Sequence, residues 1–119
     1  MDLTQPLQEL VAKVPGAVGA VLIDHEGEAI THFSAADDQE RIRLIGAYQR
    51  IWLSDCLRLM EEMRMGNLKL MIRRYEAGTV LVKSLPDNLA LVLLGDAEMF
   101  VGQGIWHLQV AEDVLNEEL

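Results

Sequence analysis

Leu3, Leu7, Leu10, Val11 and Val14 recur at the spacing of one helical face, so the pattern predicts a first helix over about 3–14. Asp2 or Thr4 is placed to cap it, Pro6 falls in its first turn, and Pro15-Gly16 ends it. The apolar run Ala17–Ile23 has the length of a strand. Asp24–Gly27 supplies a turn, and Glu28–Phe33 reads as the returning strand of a β-hairpin. A polar link, Ser34–Asp38, leads into a long helix over about 38–64 that contains one glycine, Gly46. Gly66 suits a left-handed stop. Leu68–Tyr75, Thr79–Leu85 and Leu89–Leu94 are three more strands, separated by the turn clusters Glu76–Gly78 and Pro86–Asn88. A last helix covers about 98–118, with Val101, Ile105, Leu108, Leu115 and Leu119 along one side.

The order α-β-β-α-β-β-β-α, without repeat or linker, predicts a single α/β domain over residues 1–119. It is of the α+β kind: a five-stranded antiparallel sheet with helices on both faces. Strands 17–23 and 89–94 are apolar on both sides and belong in the centre. The first and last helices are expected on one face and the long helix on the other. Strand 68–75 is expected at a sheet edge. There Lys69, Arg73 and Arg74 either guard the edge, or leave Leu68, Leu70 and Ile72 to meet a second copy of the chain.

The long helix carries more apolar surface than one contact uses. At about 100° per residue, Ile45, Tyr48, Trp52, Cys56, Leu59 and Met63 form the expected core row. Ile42, Leu53 and Met60 flank it on one side, Leu44 and Ile51 on the other. The apolar arc spans roughly 200°, where a surface helix needs a stripe little over about 100° wide. The surplus predicts a homodimer through this helix, with Ile42, Leu53 and Met60 in the seam, or the opposite flank in their place. The alternative is cover by neighbouring helices of the same chain. The polar row of Arg43, Ala47, Arg50, Ser54 and Arg58 faces outward and is the candidate partner-binding surface.

Charge sharpens this picture. The net charge of −9 over 119 residues argues against nucleic-acid binding. Yet all seven arginines lie between 41 and 74, where eight cations meet three anions. Outside that window two lysines face sixteen carboxylates. The basic segment reads either as a solvated helix face or as a patch for an acidic partner, a second copy included. No apolar run reaches the roughly 18 residues of a membrane span, and residues 1–14 alternate instead of forming a signal core. With one cysteine, Cys56, there is no disulfide framework, and a cytoplasmic location without membrane insertion is expected.

Candidate chemistry is sparse. The chain has no Walker A loop, no HExxH and no GxSxG. Gly102-Gln-Gly104 lacks the third glycine and the βαβ context of a phosphate loop. His25 and His32, with Asp24 and Glu26, lack a recognised metal-ligand spacing and read more simply as surface histidines. Cys56 sits in an apolar row with no base beside it, and the carboxylates suggest no acid–base pair. The expectation is a non-enzyme with no catalytic residues, metal or cofactor.

The string Val14-Pro-Gly-Ala-Val-Gly-Ala-Val-Leu-Ile-Asp-His-Glu-Gly27 resembles the opening signature of the Roadblock/LC7 family. Gly66-Asn67-Leu68 entering a strand, Leu89-Ala-Leu-Val-Leu-Leu94, and the closing helix extend the resemblance over nearly the whole chain. The resemblance implies a profilin-like architecture, and dimers formed through the long helix and an edge strand. It implies a platform of paired helices on which MglB-like bacterial members bind a small Ras-like, MglA-like GTPase and stimulate hydrolysis without donating a catalytic residue. Other members are dynein light chains or scaffold subunits. A small-molecule sensor domain is the alternative from another class.

Overall fold

The computed structural model describes residues 2–36 and 38–119. Met1, in the predicted N-terminal segment, and Asp37, in the predicted polar link, lie outside the described residues. The elements are α1 (Thr4–Lys13), β1 (Ala17–Ile23), β2 (Ala29–Ser34), α2 (Gln39–Glu62), β3 (Leu70–Arg74), β4 (Thr79–Ser84), β5 (Ala90–Gly95) and α3 (Val101–Glu118), with a short 3-10 turn at Pro86–Asn88. The five strands form one antiparallel sheet in the order β2-β1-β5-β4-β3.

The two strands that are apolar on both faces, β1 and β5, lie side by side, as the pattern requires. Ala20, Leu22, Leu91 and Leu93 point to the face covered by α1 and α3, where they meet Leu7, Leu10, Leu108 and Leu115. Val21, Ile23 and Val92 point to the other face and pack with Leu53 of α2. Strand β3 is an edge, paired only with β4, as expected. It is shorter than the predicted 68–75.

Local signals account for most boundaries. The Asp2 carboxylate accepts from the Thr4 amide at 2.9 Å, and Asp38 accepts from the Arg41 amide at 3.0 Å, satisfying otherwise free donors at the starts of α1 and α2. Asp24 organises the β1–β2 turn, accepting from the amides of Glu26 at 2.9 Å and Glu28 at 3.0 Å, while Gly27 takes φ +85°. The end of α2 differs from expectation. Arg64, at φ +56°, is the left-handed residue that closes the helix, with the Met65 amide reaching back to the Met60 carbonyl at 3.0 Å. Gly66 takes its positive φ two residues later, in the link to β3.

The main correction concerns the rotation of α2. Its buried residues are Ile42, Gly46, Gln49, Arg50 and Leu53. Ile42 is 3% exposed and Leu53 1%, so neither is free for a dimer seam; both pack on the chain's own sheet. The expected core row is instead largely outward, with Tyr48, Trp52, Leu59 and Met63 exposed and Ile45 and Cys56 half-buried. The helix is turned by about a quarter of a revolution relative to the prediction. Gly46 gives the physical reason. A Cβ there would lie 2.7 Å from Val21 Cγ1, so the helix comes closest to β1 along the line through this glycine.

Candidate functional site

Helix α2 lies over β1 and β2, reaches β5 less, and has little contact with β3 or β4. The β3–β4 end of this sheet face is therefore the part the helix covers least, although Val80, Val82 and Met71 are still buried beside Leu53. The result is a groove of about 520 Å³ between α2 and the β3–β4 end of the sheet. Ile45, Tyr48 and Trp52 form its helical wall, and Tyr75, Val80 and Leu94 form its sheet side. Arg73 stacks its guanidinium 4.4 Å from the centre of the Trp52 ring, fixing the ring on the groove's rim. The buried Gln49 Oε1, in the same wall, has no hydrogen-bond partner.

The exposed apolar side chains of α2 extend past this groove. Leu44, Tyr48, Ile51, Trp52, Leu59 and Met63 are all exposed, and together they cover the arc that the chain's own sheet leaves open. Beyond them, on the side of the β1–β2 turn, lies a second hollow of about 440 Å³. Leu44, Ala47, Ile51 and Ser54 form its floor, and His25 and Glu26 its rim.

The predicted partner row divides in two. Arg43 and Arg58 are exposed, each held lightly by a carboxylate one turn away, Glu40 at 3.3 Å and Asp55 at 3.1 Å. Exposed pairs of this kind contribute about 0–1 kcal/mol and leave both guanidinium groups available. Ala47 is half-buried and Ser54 exposed. Arg50, expected at the surface, is buried. Its Nη1 donates to the Asn88 carbonyl oxygen at 2.9 Å and its Nε to Ser54 Oγ at 3.3 Å. It thus ties α2 to the 86–88 turn, with Gly27 of the β1–β2 turn packed beside it. Burial pushes its guanidinium below the ordinary value, and the Asp24 charge opposes that shift. Arg50 is a structural staple in this fold, not a free contact.

The predicted seam also divides. Ile42 and Leu53 are core residues, as described above. Met60 is half-buried beside Leu57 and Leu68 in the link from α2 to β3. Leu68 and Leu70 are half-buried, and Ile72 is exposed on β3. Tyr75, Val80 and Leu94 were missed because they are distant in sequence from the helix they face. Gly46 was the one signal that marked the buried side of α2. Among the described residues no group of three or more His, Cys, Asp or Glu could hold a metal ion, and no helix is long and apolar enough to cross a membrane.

No protein-family model matches the chain, and no curated protein matches it in sequence. Solved structures do. The Roadblock/LC7 domain from Streptomyces avermitilis superposes with a TM-score of 0.89 at 15% identity, over 99% of this chain and 98% of that one. MglB from Myxococcus xanthus gives 0.85 at 13% identity, over 97% and 85%. An MglB described as having a tetrameric arrangement gives 0.84 at 20% identity, over 95% and 84%. The superposition on the Streptomyces avermitilis domain takes in nearly the whole of both chains: this chain has the Roadblock/LC7 fold.

Proposed function

We propose that the chain is a non-catalytic homodimeric adaptor that binds and regulates a small Ras-like GTPase of the MglA type. The observation that carries this reading is the continuity of three unsatisfied features: the outward apolar row of α2, the groove beside it, and the free edge of β3. Each large apolar side chain left in water forfeits about 1.5–3 kcal/mol that burial would supply, and an unpaired edge leaves backbone groups without partners. A second copy placed by a two-fold axis answers all three at once. Ile45, Trp52, Leu59 and Met63, nearest the groove and β3, form the seam in this reading. Leu44, Ala47, Ile51 and Ser54, with Arg43 and Arg58 at their margin, form the platform for the GTPase. The similarity in fold to an MglB of tetrameric arrangement supports self-association, and the Roadblock/LC7 resemblance supports the class of partner.

Two substitutions separate these roles. Trp52→Glu is expected to give a monomer by sedimentation velocity. Arg43→Glu with Arg58→Glu is expected to preserve the dimer and weaken binding of a small GTPase recovered from the host by at least about tenfold, in the range of an interface hot spot. GTP hydrolysis with and without the chain reads the regulatory effect. A dimeric Trp52→Glu variant, or unchanged GTPase affinity in the double reversal, overturns the respective assignment.

One observation favours a second reading. The groove falls in the size range of small-molecule sites and contains an unpartnered buried amide oxygen, that of Gln49. A sensor domain would retain an apolar ligand there, visible by native mass spectrometry. A scaffold or light-chain subunit of a larger complex would dimerise without affecting GTP hydrolysis.

A further inference from the structure

Helix α3 buries Gly104, Leu108, Ala111 and Leu115 against the sheet and α1. The row on its opposite side runs Trp106, Val110, Asp113, Glu117. Trp106 is 67% exposed, more than any other large apolar side chain among the described residues, and Val110 and Ile105 beside it are exposed as well. This apolar strip lies on the face of the sheet opposite to α2, outside both hollows described above.

Its electrostatic setting is mainly acidic; Lys13 of α1, with Glu9 beside it, lines the hollow next to Val110. Helix α3 carries Glu112, Asp113, Glu117 and Glu118 and no lysine or arginine. Lys83 of β4 reaches Glu112 at 3.4 Å, and Asp113, among the described residues, accepts from the neutral amide of Gln109 alone, at 3.1 Å. Glu117 and Glu118 stand exposed in the last turn. Carboxylates there oppose the helix dipole, whose C-terminal end is already negative. The isolated chain thus holds like charge where an α-helix favours cations, next to a solvent-facing tryptophan.

We propose that the outer face of α3 docks a basic amphipathic segment of a protein partner. Apolar anchors of that segment cover Trp106 and Val110, and its Lys or Arg side chains lie along Asp113, Glu117 and Glu118. The span from Trp106 to Glu117 is about 16 Å, matched by roughly three turns of a partner helix. Charge complementarity selects this occupant. An anionic membrane surface is repelled by the same carboxylates. A second copy docked through the same face would bring two rows of Asp113, Glu117 and Glu118 together with no cation on either α3 to separate them.

The test uses the full chain and two labelled synthetic helices of roughly 16 residues. They share one leucine face and carry either lysines or glutamates elsewhere, and binding is read by fluorescence anisotropy. The lysine peptide is expected to bind and to weaken as salt rises. Trp106→Ser, and separately Asp113→Lys with Glu117→Lys, are expected to weaken it at least about tenfold. Glu28→Lys with Glu76→Lys, the same change in net charge away from α3, is expected to leave affinity within about twofold. Circular dichroism confirms the fold of each variant. No binding of the lysine peptide, equal binding of the glutamate peptide, insensitivity to Trp106→Ser, or equal loss in the remote reversal overturns the proposal. So does an oligomer larger than the dimer that Trp106→Ser dissolves, which would make this face a contact between copies.

Discussion

Leu53 and Leu59 sit on the same helix, differ by under two turns, and carry the same side chain, yet the structure gives them opposite environments. Leu53 is 1% exposed and packs with Val21, Ile23 and Val92; Leu59 is 47% exposed and belongs to neither buried cluster. Truncating a buried leucine removes its transfer energy and leaves a cavity, together costing about 2–5 kcal/mol. For a domain of this size, a loss near 3 kcal/mol lowers Tm by roughly 10 °C and moves the urea midpoint downward. Truncating Leu59 in the monomer is expected to stay within about 0.5 kcal/mol, as for other surface positions. In the proposed dimer, Leu59→Ala is expected to act on association instead, visible as a higher dissociation constant by sedimentation. Trp52→Glu, expected to be monomeric if the proposed seam is right, supplies the background in which both leucines are compared directly. The rotation of α2 described above is refuted if Leu59→Ala costs as much as Leu53→Ala in that background, or if Leu53→Ala is neutral.

Three further outcomes follow from single residues. Arg50→Met is expected to destabilise the chain by about 1–3 kcal/mol in urea unfolding, because it removes a charge-assisted hydrogen bond to the Asn88 carbonyl, without changing the proposed self-association; a variant of wild-type stability would make Arg50 a free contact again. The Asp24 carboxyl is held below the ordinary aspartate value, first by the Glu28 amide and next by the Glu26 amide. Its contribution to the β1–β2 turn is thus present above the ordinary aspartate value and lost as pH falls through the lower folded value. The Glu26 and Glu28 amide shifts should titrate with a midpoint below that of free aspartate, a transition absent from Asp24→Asn; a midpoint at or above the free value contradicts the turn geometry. Gly19→Val is expected to destabilise by about 1–3 kcal/mol, since a Cβ at this position lies 2.5 Å from Ile42 Cδ1 and 3.1 Å from the Phe33 carbonyl oxygen in a close-packed layer; unchanged thermal unfolding would show that the Ile42 side chain yields without cost and that this layer is not tightly packed.

The order of the elements, the antiparallel sheet, the central places of β1 and β5 and the edge position of β3 were all legible in the sequence. They rest on local rules: apolar spacing fixes helix or strand, turn residues separate them, and a strand apolar on both faces must be covered on both. The excess apolar surface of α2 was legible for the same reason. Which part of that surface is spare was not. Periodicity places the core on the row with the largest apolar side chains, which here are Tyr48, Trp52, Leu59 and Met63. In the folded chain the sheet instead receives Ile42, Gly46 and Leu53, because the absent side chain of Gly46 allows the helix to settle against Val21. The same close approach carries Arg50 inward to the Asn88 carbonyl and turns Trp52 toward Arg73 and the groove. A one-dimensional pattern counts apolar positions. Whether each one meets the chain's own sheet or is left for another molecule depends on where residues far apart in sequence, such as Val21, Arg73 and Val80, come to stand in space.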